Sequence, residues 1–139
     1  METKKLFIDT NIIVDILDKK RLSHIDSKKL IERALLEDVS LSMSDDIITT
    51  VYYLCQKNIK RDLLLDFIRF LNQNFTILPF TKEIIDEAIS ICKENQYDFE
   101  DTLQAVCAKQ NGYTTIITND KNFPILDDIT VERTYDLKK

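Results

Sequence analysis

Short apolar runs and longer amphipathic stretches alternate along the chain, and the two patterns predict different elements. The runs at 6–8 and 115–118 are typical of strands that are buried on both faces of a sheet. In 39–43, apolar residues alternate with serines, which predicts a strand of period two. In 26–37, apolar residues recur every three or four positions, which predicts an amphipathic helix.

The same patterns continue over the whole sequence. The predicted strands are 4–9, 39–43, 75–79, 115–118 and 129–133, and the predicted helices are 11–17, 26–37, 47–55, 60–72, 81–92 and 98–110. Gly112, the only glycine, follows the last helix, where a left-handed residue commonly ends a helix. Strands that alternate with helices favour a parallel sheet with helices on both faces. We therefore predict an α/β fold, a three-layer α/β/α sandwich around a central, mostly parallel sheet of about five strands, in one domain over 1–139.

Composition indicates where in the cell the protein is located and which partners are excluded. No segment approaches the roughly 18 apolar residues of a membrane span, and the first ten residues lack the apolar region of a signal peptide. Cys55, Cys92 and Cys107 are widely spaced within apolar helical patterns, which favours core positions over a disulfide or zinc site. These features predict a cytoplasmic protein without a membrane partner. The net charge of −5 disfavours a nucleic-acid partner, unless the acids surround a metal ion that meets the phosphate.

Two of the predicted strands are followed by aspartates. Asp9 ends the first strand, and Asp120 lies just past the end of the run 115–118. The carboxyl ends of parallel strands share one edge of a sheet, and binding sites form there. Asp9 and Asp120 therefore converge if their strands are neighbours.

A second pair of acids opens the last predicted helix. Asp98 and Asp101 are three residues apart, a spacing that places two side chains on one helix face. An N-cap role is an alternative for either residue, and especially for Asp98. If Asp101 joins Asp9 and Asp120, the carboxylates repel one another, and one protonates unless a cation lies between them. Oxygen ligands without His or Cys suit Mg²⁺ or Mn²⁺.

Such a carboxylate site is one way in which nucleases cut phosphodiester bonds. One ion lowers the pKa of its bound water, and a second ion about 4 Å away stabilises the leaving oxygen. The chain carries no GxSxG motif, no glycine-rich phosphate loop and no Cys/His pair that would indicate another nucleophile. The acids therefore favour metal-dependent hydrolysis.

Four segments of the chain resemble, in order and spacing, blocks of the PIN-domain family, a nuclease fold found in many toxins of toxin–antitoxin systems. The segments are FIDTNIIVDIL, SDDIITTVYYLCQK, DFEDTLQ and IITNDKNF, and together they span nearly the whole chain. The resemblance implies a parallel sheet sandwiched by helices and a metal-dependent endoribonuclease. It also implies an RNA substrate, an antitoxin protein as partner and a homodimer.

The resemblance further implies roles for single residues. The acids similar to the family's catalytic and metal-binding residues are Asp9, Asp101 and Asp120, with Asp98 as a further metal-binding acid. Asn11 is similar to the residue that steadies the first acid through hydrogen bonds. Thr118 matches the hydroxyl that precedes the last acid.

The sequence departs from the family's pattern at one position. PIN toxins usually carry a Glu on the helix after the second strand, and that position falls at Thr50. Asp45 and Asp46 stand about one turn earlier, where helix capping is an alternative to metal binding. The missing Glu puts the second metal ion in question. It leaves open a catalytically degenerate PIN module that binds RNA or a partner protein.

Basic residues near the predicted acid site are candidates for RNA contact. Lys19, Lys20 and Arg21 follow the first helix and either meet the RNA backbone or form a solvated turn. His24 falls in a loop-like stretch, so we do not expect it to act as a ligand or base. A third hypothesis is a phospho-accepting aspartate enzyme that uses Asp9. Against this hypothesis, the sequence has Asn11 where a phosphatase-type DxD motif has its second aspartate.

Overall fold

The computed structural model describes residues 4–137, with the side chains of residues 4–135. The remaining residues of the predicted domain, 1–3 and 138–139, lie outside this part. The strands are β1 (Lys5–Ile8), β2 (Ser40–Ser44), β3 (Thr76–Leu78), β4 (Thr115–Ile117) and β5 (Thr130–Glu132). The helices are α1 (Thr10–Leu17), α2 (His24–Leu36), α3 (Asp46–Cys55), α4 (Arg61–Asn74), α5 (Lys82–Glu94) and α6 (Phe99–Gln110), and a 3₁₀ helix spans Thr134–Leu137.

All predicted strands and helices are present in the described residues, and the 3₁₀ helix was not predicted. The largest difference at a helix start is in α2, which begins at His24 instead of at 26. A contact from outside the helix stabilises this extra part of the first turn. The His24 ring Nδ1 donates to the backbone carbonyl of Asp15, with 2.8 Å between the two atoms. The apolar periodicity of 26–37 carries no information about such a contact.

The sheet is entirely parallel in the described residues and runs in the order β3-β2-β1-β4-β5. The chain builds outward from β1 through β2 to β3, and then returns to the other side of β1 with β4 and β5. The β1–β4 boundary is therefore the switch point of the sheet, and a crevice opens there at the carboxyl ends of the strands. The predicted three-layer fold is confirmed, and β3 and β5 lie at the two edges of the sheet.

Two hydrophobic clusters cover the two faces of the sheet. Alternate residues of β1 divide between them, because successive strand side chains point to opposite faces. Leu6 and Ile8 pack in one cluster with residues from α1 to α4. Phe7 packs in the other cluster with residues from α5 and α6. The last two helices therefore lie on the face opposite the first four.

Two helix ends illustrate how the local sequence fixes them, and a third does not. The Thr81 hydroxyl accepts from the backbone N–H of Ile84 at 3.2 Å and caps α5, and Gly112 is left-handed, with φ of 81°, just after α6. The expectation that Asp45 caps α3 is wrong. Its side chain makes no capping hydrogen bond, and the Ser44 hydroxyl bonds to the Asp46 carboxylate instead of to a helix N–H.

The cysteines and the helices agree with the remaining structural predictions. Cys55 and Cys107 are buried, Cys92 is half-buried, and all three are free thiols. No helix among residues 4–137 is long and apolar enough to cross a membrane.

Candidate active site

The predicted convergence of the two strand ends is present at the switch point. β1 and β4 are direct neighbours, and the backbone N–H of Asp9 donates to the carbonyl of Ile117 at 3.0 Å. The Thr118 hydroxyl, one residue past β4, donates to Asp9 Oδ2 at 2.7 Å. Asp9 and the segment that carries Asp120 are therefore in direct contact.

Asp9 is a buried carboxylate with three hydrogen-bond donors. Its side chain is held by Thr118, by the backbone N–H of Thr10 at 2.8 Å from Oδ1, and by Asn11 Nδ2 at 3.2 Å from Oδ2. Only 3% of the residue is exposed. Burial raises the pKa of Asp9 to about 6. The nearby charges of Asp120 and Glu100 add to the increase, and the bonds from Thr118 and Thr10 oppose it.

Asp101 and Asp120 lie in direct side-chain contact. The pKa of Asp101 is raised to about 8, chiefly by burial and next by a hydrogen bond to the Asp120 side chain. The charges of Asp9, Asp120 and Asp98 act in the same direction. Asp120 is held in place by its own backbone N–H, which donates to Thr118 Oγ1 at 3.1 Å, and by the Asn122 N–H, which donates to Asp120 Oδ1 at 2.9 Å. The three acids singled out in the sequence thus lie close enough for their charges to act on one another.

Asp98 stands at the edge of this group and caps α6. Its Oδ2 accepts from the backbone N–H of Asp101 at 3.0 Å. Asp98 therefore has the N-cap role that the sequence analysis gave as an alternative to metal binding. Its charge also raises the pKa of Asp101 and of Glu100. The Asp98 carboxylate therefore caps the start of α6 and also adds negative charge to the site.

Asp46 and Glu100 also belong to this acidic group. Burial raises the pKa of both, and the Asp46 charge raises the pKa of Glu100. Glu100 in turn raises the pKa of Asp9. Glu100 was not a candidate in the sequence, although it belongs to the DFED segment. Asp46 was considered, but its position at a helix start favoured a capping role.

Gln104 connects the starts of α1 and α3 beneath the acids. Its side chain is fully buried. Nε2 donates to Thr10 Oγ1 at 3.0 Å and lies 3.5 Å from Asp46 Oδ1. Its Oε1 has no hydrogen-bond partner. Nothing in its sequence position distinguished Gln104 from a solvent-facing residue of an amphipathic helix.

The basic residues after α1 have different surroundings. Lys19 and Lys20 are exposed in a turn. Arg21 is half-exposed and its Nε donates to the buried Asp15 at 2.7 Å. Thr50, where the family's Glu is expected, lies on α3 one turn after Asp46 and is half-buried.

A groove of about 630 Å³ opens beside the acids. Asp98, Asp101 and Asp120 form one wall. The other lining residues are Gln96, Tyr97, Asn122, Phe123 and Ile125. The groove offers carboxylates, amide groups and an aromatic surface to whatever molecule enters it.

The donor set of the site suits a hard cation in its chemistry. Oxygen ligands alone, without His or Cys, favour Mg²⁺ or Mn²⁺. Among the residues whose side chains are described, no three Asp, Glu, His or Cys groups are arranged so that they could ligate one ion together.

Comparison with known proteins agrees with this arrangement of strands and helices. The sequence matches the PIN domain family over residues 6–129. The chain belongs to the PIN domain family. The match begins within β1 and ends just before β5. The fold is thus that of a PIN domain.

Three proteins illustrate the relationship. This PIN chain is 40% identical to ribonuclease VapC1 of Aquifex aeolicus over 136 residues, which is 95% of this chain and 94% of the relative. It resembles the structure of Mycobacterium tuberculosis VapC20, described as a toxin that cleaves the sarcin–ricin loop, with a TM-score of 0.68 and 15% identity over 85% of this chain and 92% of the other. A toxin–antitoxin complex from Klebsiella pneumoniae matches with a TM-score of 0.66 and 18% identity over 90% and 95%.

Proposed function

We propose that this PIN domain is a metal-dependent ribonuclease that hydrolyses phosphodiester bonds within RNA and acts as the toxin of a toxin–antitoxin pair in the cytoplasm. The crowding of Asp9, Asp101 and Asp120 supports the metal requirement most directly. With the pKa of Asp9 near 6 and that of Asp101 near 8, the metal-free site does not keep all three acids charged at neutral pH, because burial chiefly, and the neighbouring charges in addition, disfavour the charged forms. A divalent cation among these acids stabilises the charged forms.

The residues at the pocket have separate tasks in this proposal. Asp9, Asp101 and Asp120 hold Mg²⁺ or Mn²⁺, with Asp98 and Asp46 close by. When bound, the ion supplies positive charge against the phosphate and makes water more acidic at the site. Thr118 and Asn11 fix the orientation of the Asp9 carboxylate through their hydrogen bonds. RNA enters along the groove beside Asp101 and Asp120.

The relatives support the proposed substrate and the proposed antitoxin partner. The 40% identical relative is called a ribonuclease, and it covers nearly the whole chain. RNA is therefore the substrate that we propose, with Lys19, Lys20 and Arg21 near enough in sequence to β1 to contact its backbone. One structural relative is a toxin–antitoxin complex, and we propose an antitoxin protein as partner and a homodimer as the assembled form.

A cleavage assay tests the proposal. Purified protein is incubated with mixed RNA in Mn²⁺, Mg²⁺ or EDTA, beside the variants Asp9→Asn and Asp62→Asn. Asp62 is an exposed aspartate in the first turn of α4 and serves as the matched control. We expect wild-type cleavage to require the metal ion. Cleavage should fall roughly a hundredfold in Asp9→Asn, because this variant loses an ion ligand. Cleavage should be unchanged in Asp62→Asn. Equal cutting by Asp9→Asn and wild type would contradict the proposal.

A second candidate function is a PIN module that binds RNA or a partner protein without cutting. Thr50, in place of the acid expected on α3, favours it. This candidate predicts weak Mn²⁺ binding and no turnover by the wild-type protein. Thr50→Glu then tightens Mn²⁺ binding in calorimetry. Unchanged binding in that variant would argue against Thr50 as the position of the missing acid.

A further inference from the structure

Asp15 is a buried carboxylate outside the pocket of acids. It lies on α1 and is 3% exposed. Its Oδ1 accepts from Arg21 Nε at 2.7 Å, and its Oδ2 accepts from Ser27 Oγ at 2.8 Å and from Asn119 Nδ2 at 3.3 Å. A charge is tolerated in a protein interior only when it is paired and hydrogen-bonded. The three donors belong to three separate segments of the chain, and Asp15 therefore links these segments through hydrogen bonds.

Asn119 is the partner of Asp15 that leads to the site, because it lies between Thr118 and Asp120. Its side chain is fixed at both ends. Nδ2 donates to Asp15 and to Thr134 Oγ1 at 3.0 Å, and Oδ1 accepts from the Thr134 backbone N–H at 3.0 Å. An amide that is bonded at both ends cannot rotate without losing several bonds. The backbone at 119 is therefore anchored to α1 and to the 3₁₀ helix.

The anchored backbone then sets the position of the candidate acids. The Asn119 N–H donates to Asn11 Oδ1 at 3.3 Å. Asn11 Nδ2 donates to Asp9 Oδ2 at 3.2 Å and to Thr118 Oγ1 at 3.0 Å. A continuous chain of hydrogen bonds thus runs from Asp15 through Asn119 and Asn11 to Asp9.

We infer that Asp15 and Asn119 are positioning residues of this site, which hold the segment 118–120 and Asn11 in the geometry that Asp9 and Asp120 need. Arg21 belongs to the same network as the counter-ion of Asp15. Functional groups have to be held within about 0.5 Å of their working positions by such supporting contacts. The consequence for metal binding rests on the proposed function, whereas the effect on the segment 118–120 does not.

A purely structural role for Asp15 would have a different signature. The Ser27 hydroxyl ties Asp15 to α2 and makes no contact with the site segment. Ser27→Ala therefore weakens the packing of α1 on α2 alone. Asn119→Ala removes the bonds to Asp15 and Thr134 and frees the site segment. These two variants separate stability from positioning.

The first experiment uses the metal-free protein and measures amide hydrogen exchange. The N–H groups of Asn119 and Asp120 donate to side-chain oxygens of Asn11 and Thr118, so their exchange reports the order of the segment. We expect exchange at both amides to rise roughly tenfold in Asn119→Ala and in Asp15→Asn, the change produced by loss of about one hydrogen bond. Ser27→Ala should leave it unchanged. Equal protection in wild type and Asn119→Ala, or an equal rise in Ser27→Ala, overturns the inference.

The second experiment measures Mn²⁺ affinity by calorimetry in a double-mutant cycle. Asp15→Asn should weaken Mn²⁺ binding in the wild-type background and have no further effect in Asn119→Ala, because Asp15 acts through Asn119. Additive effects of the two substitutions would overturn that route. If the wild-type protein binds no Mn²⁺, the proposed function fails, and hydrogen exchange still decides whether Asp15 and Asn119 hold the segment.

Discussion

The carboxyl group of Asp101 makes a hydrogen bond to the carboxyl group of Asp120. Two carboxyl groups can share such a bond only when one of them carries a proton. The raised pKa of Asp101, about 8, means that this pair of acids holds one proton at neutral pH. A cation that binds between these acids has to displace the proton, so metal binding and proton release are linked.

We predict that Mn²⁺ affinity rises with pH between about 5 and 9. Protons compete with the ion for Asp9, whose pKa is about 6, and for Asp101, whose pKa is about 8. Affinity therefore increases as each group loses its proton. Calorimetry at pH 7 in two buffers of different ionisation enthalpy measures the protons released. A release of zero, or an affinity that is the same at pH 6 and 8, would contradict a proton shared by the acids.

The metal-free protein should show the opposite pH dependence in its stability. Asp9 has a pKa near 6 in the fold and 3.8 ordinarily, so the folded state binds more protons between these values and loses stability as the pH rises through them. The shift corresponds to about 3 kcal/mol for Asp9. Urea unfolding at pH 4, 5, 6 and 7 measures the loss.

Asp9→Asn is the matched variant for this prediction, because it keeps the shape and removes the charge. The difference in unfolding free energy between the variant and wild type should grow in favour of the variant from pH 4 to pH 7. Saturating Mn²⁺ should restore wild-type stability at pH 7 by binding the folded state. A constant difference across the pH range would show that Asp9 does not carry the raised pKa.

The fold and the central acids could be predicted because their signals are local. Strands and helices are distinguished by period two and period 3.6. Asp9 and Asp120 each follow a strand in the sequence, and a parallel sheet brings such positions to one edge. The sequence could not predict that β1 and β4 are neighbours, and the strand order of the sheet shows that they are.

The rest of the site depends on how helices meet, which no single segment encodes. Gln104 is polar in an amphipathic helix, yet it is buried because α6 packs against the starts of α1 and α3. Asp15 occupies the polar side of α1 in the sequence, and α2 covers it. Asp46 had the sequence position of a capping residue. In each case a contact between distant segments decides the role of the side chain.

Asp46 should contribute to the site, whereas its neighbour Asp45 should not. Asp46 is half-buried, and its Oδ1 accepts from Gln104 Nε2 at 3.5 Å. Its charge raises the pKa of Glu100. Asp45 is exposed and makes no capping bond. We expect Asp46→Asn to lower metal-dependent cleavage roughly tenfold, since removal of one charge of a carboxylate site costs about 1–2 kcal/mol.

Asp45→Asn is the control, because it removes the same charge one residue away. Its cleavage rate and Mn²⁺ affinity should stay within about twofold of wild type, as expected for an exposed charge. If the two substitutions have equal effects, long-range charge and not the position of Asp46 explains the loss.

Gln104 offers a test in which stability and activity should separate. Its buried Oε1 has no partner, and a buried unpaired polar group costs about 1–3 kcal/mol. Gln104→Leu keeps a similar volume, removes that group and loses the bond to Thr10 Oγ1, which is worth about 1 kcal/mol. Urea unfolding should therefore give a free energy equal to that of wild type or up to about 2 kcal/mol higher. The same substitution removes the Gln104 donor from Thr10 and from Asp46, and Asp46 keeps the bond from the Ser44 hydroxyl.

Cleavage by Gln104→Leu should fall roughly tenfold, because Thr10 and Asp46 lose a fixed orientation beside Asp9, and a lost hydrogen bond of about 1 kcal/mol has an effect of this order. Gln110→Leu is the control on the same helix, since Gln110 is exposed and bonds to Glu87 far from the acids. It should leave cleavage unchanged. A large loss of stability in Gln104→Leu with full activity would mean that Gln104 supports the core and has no part in the site.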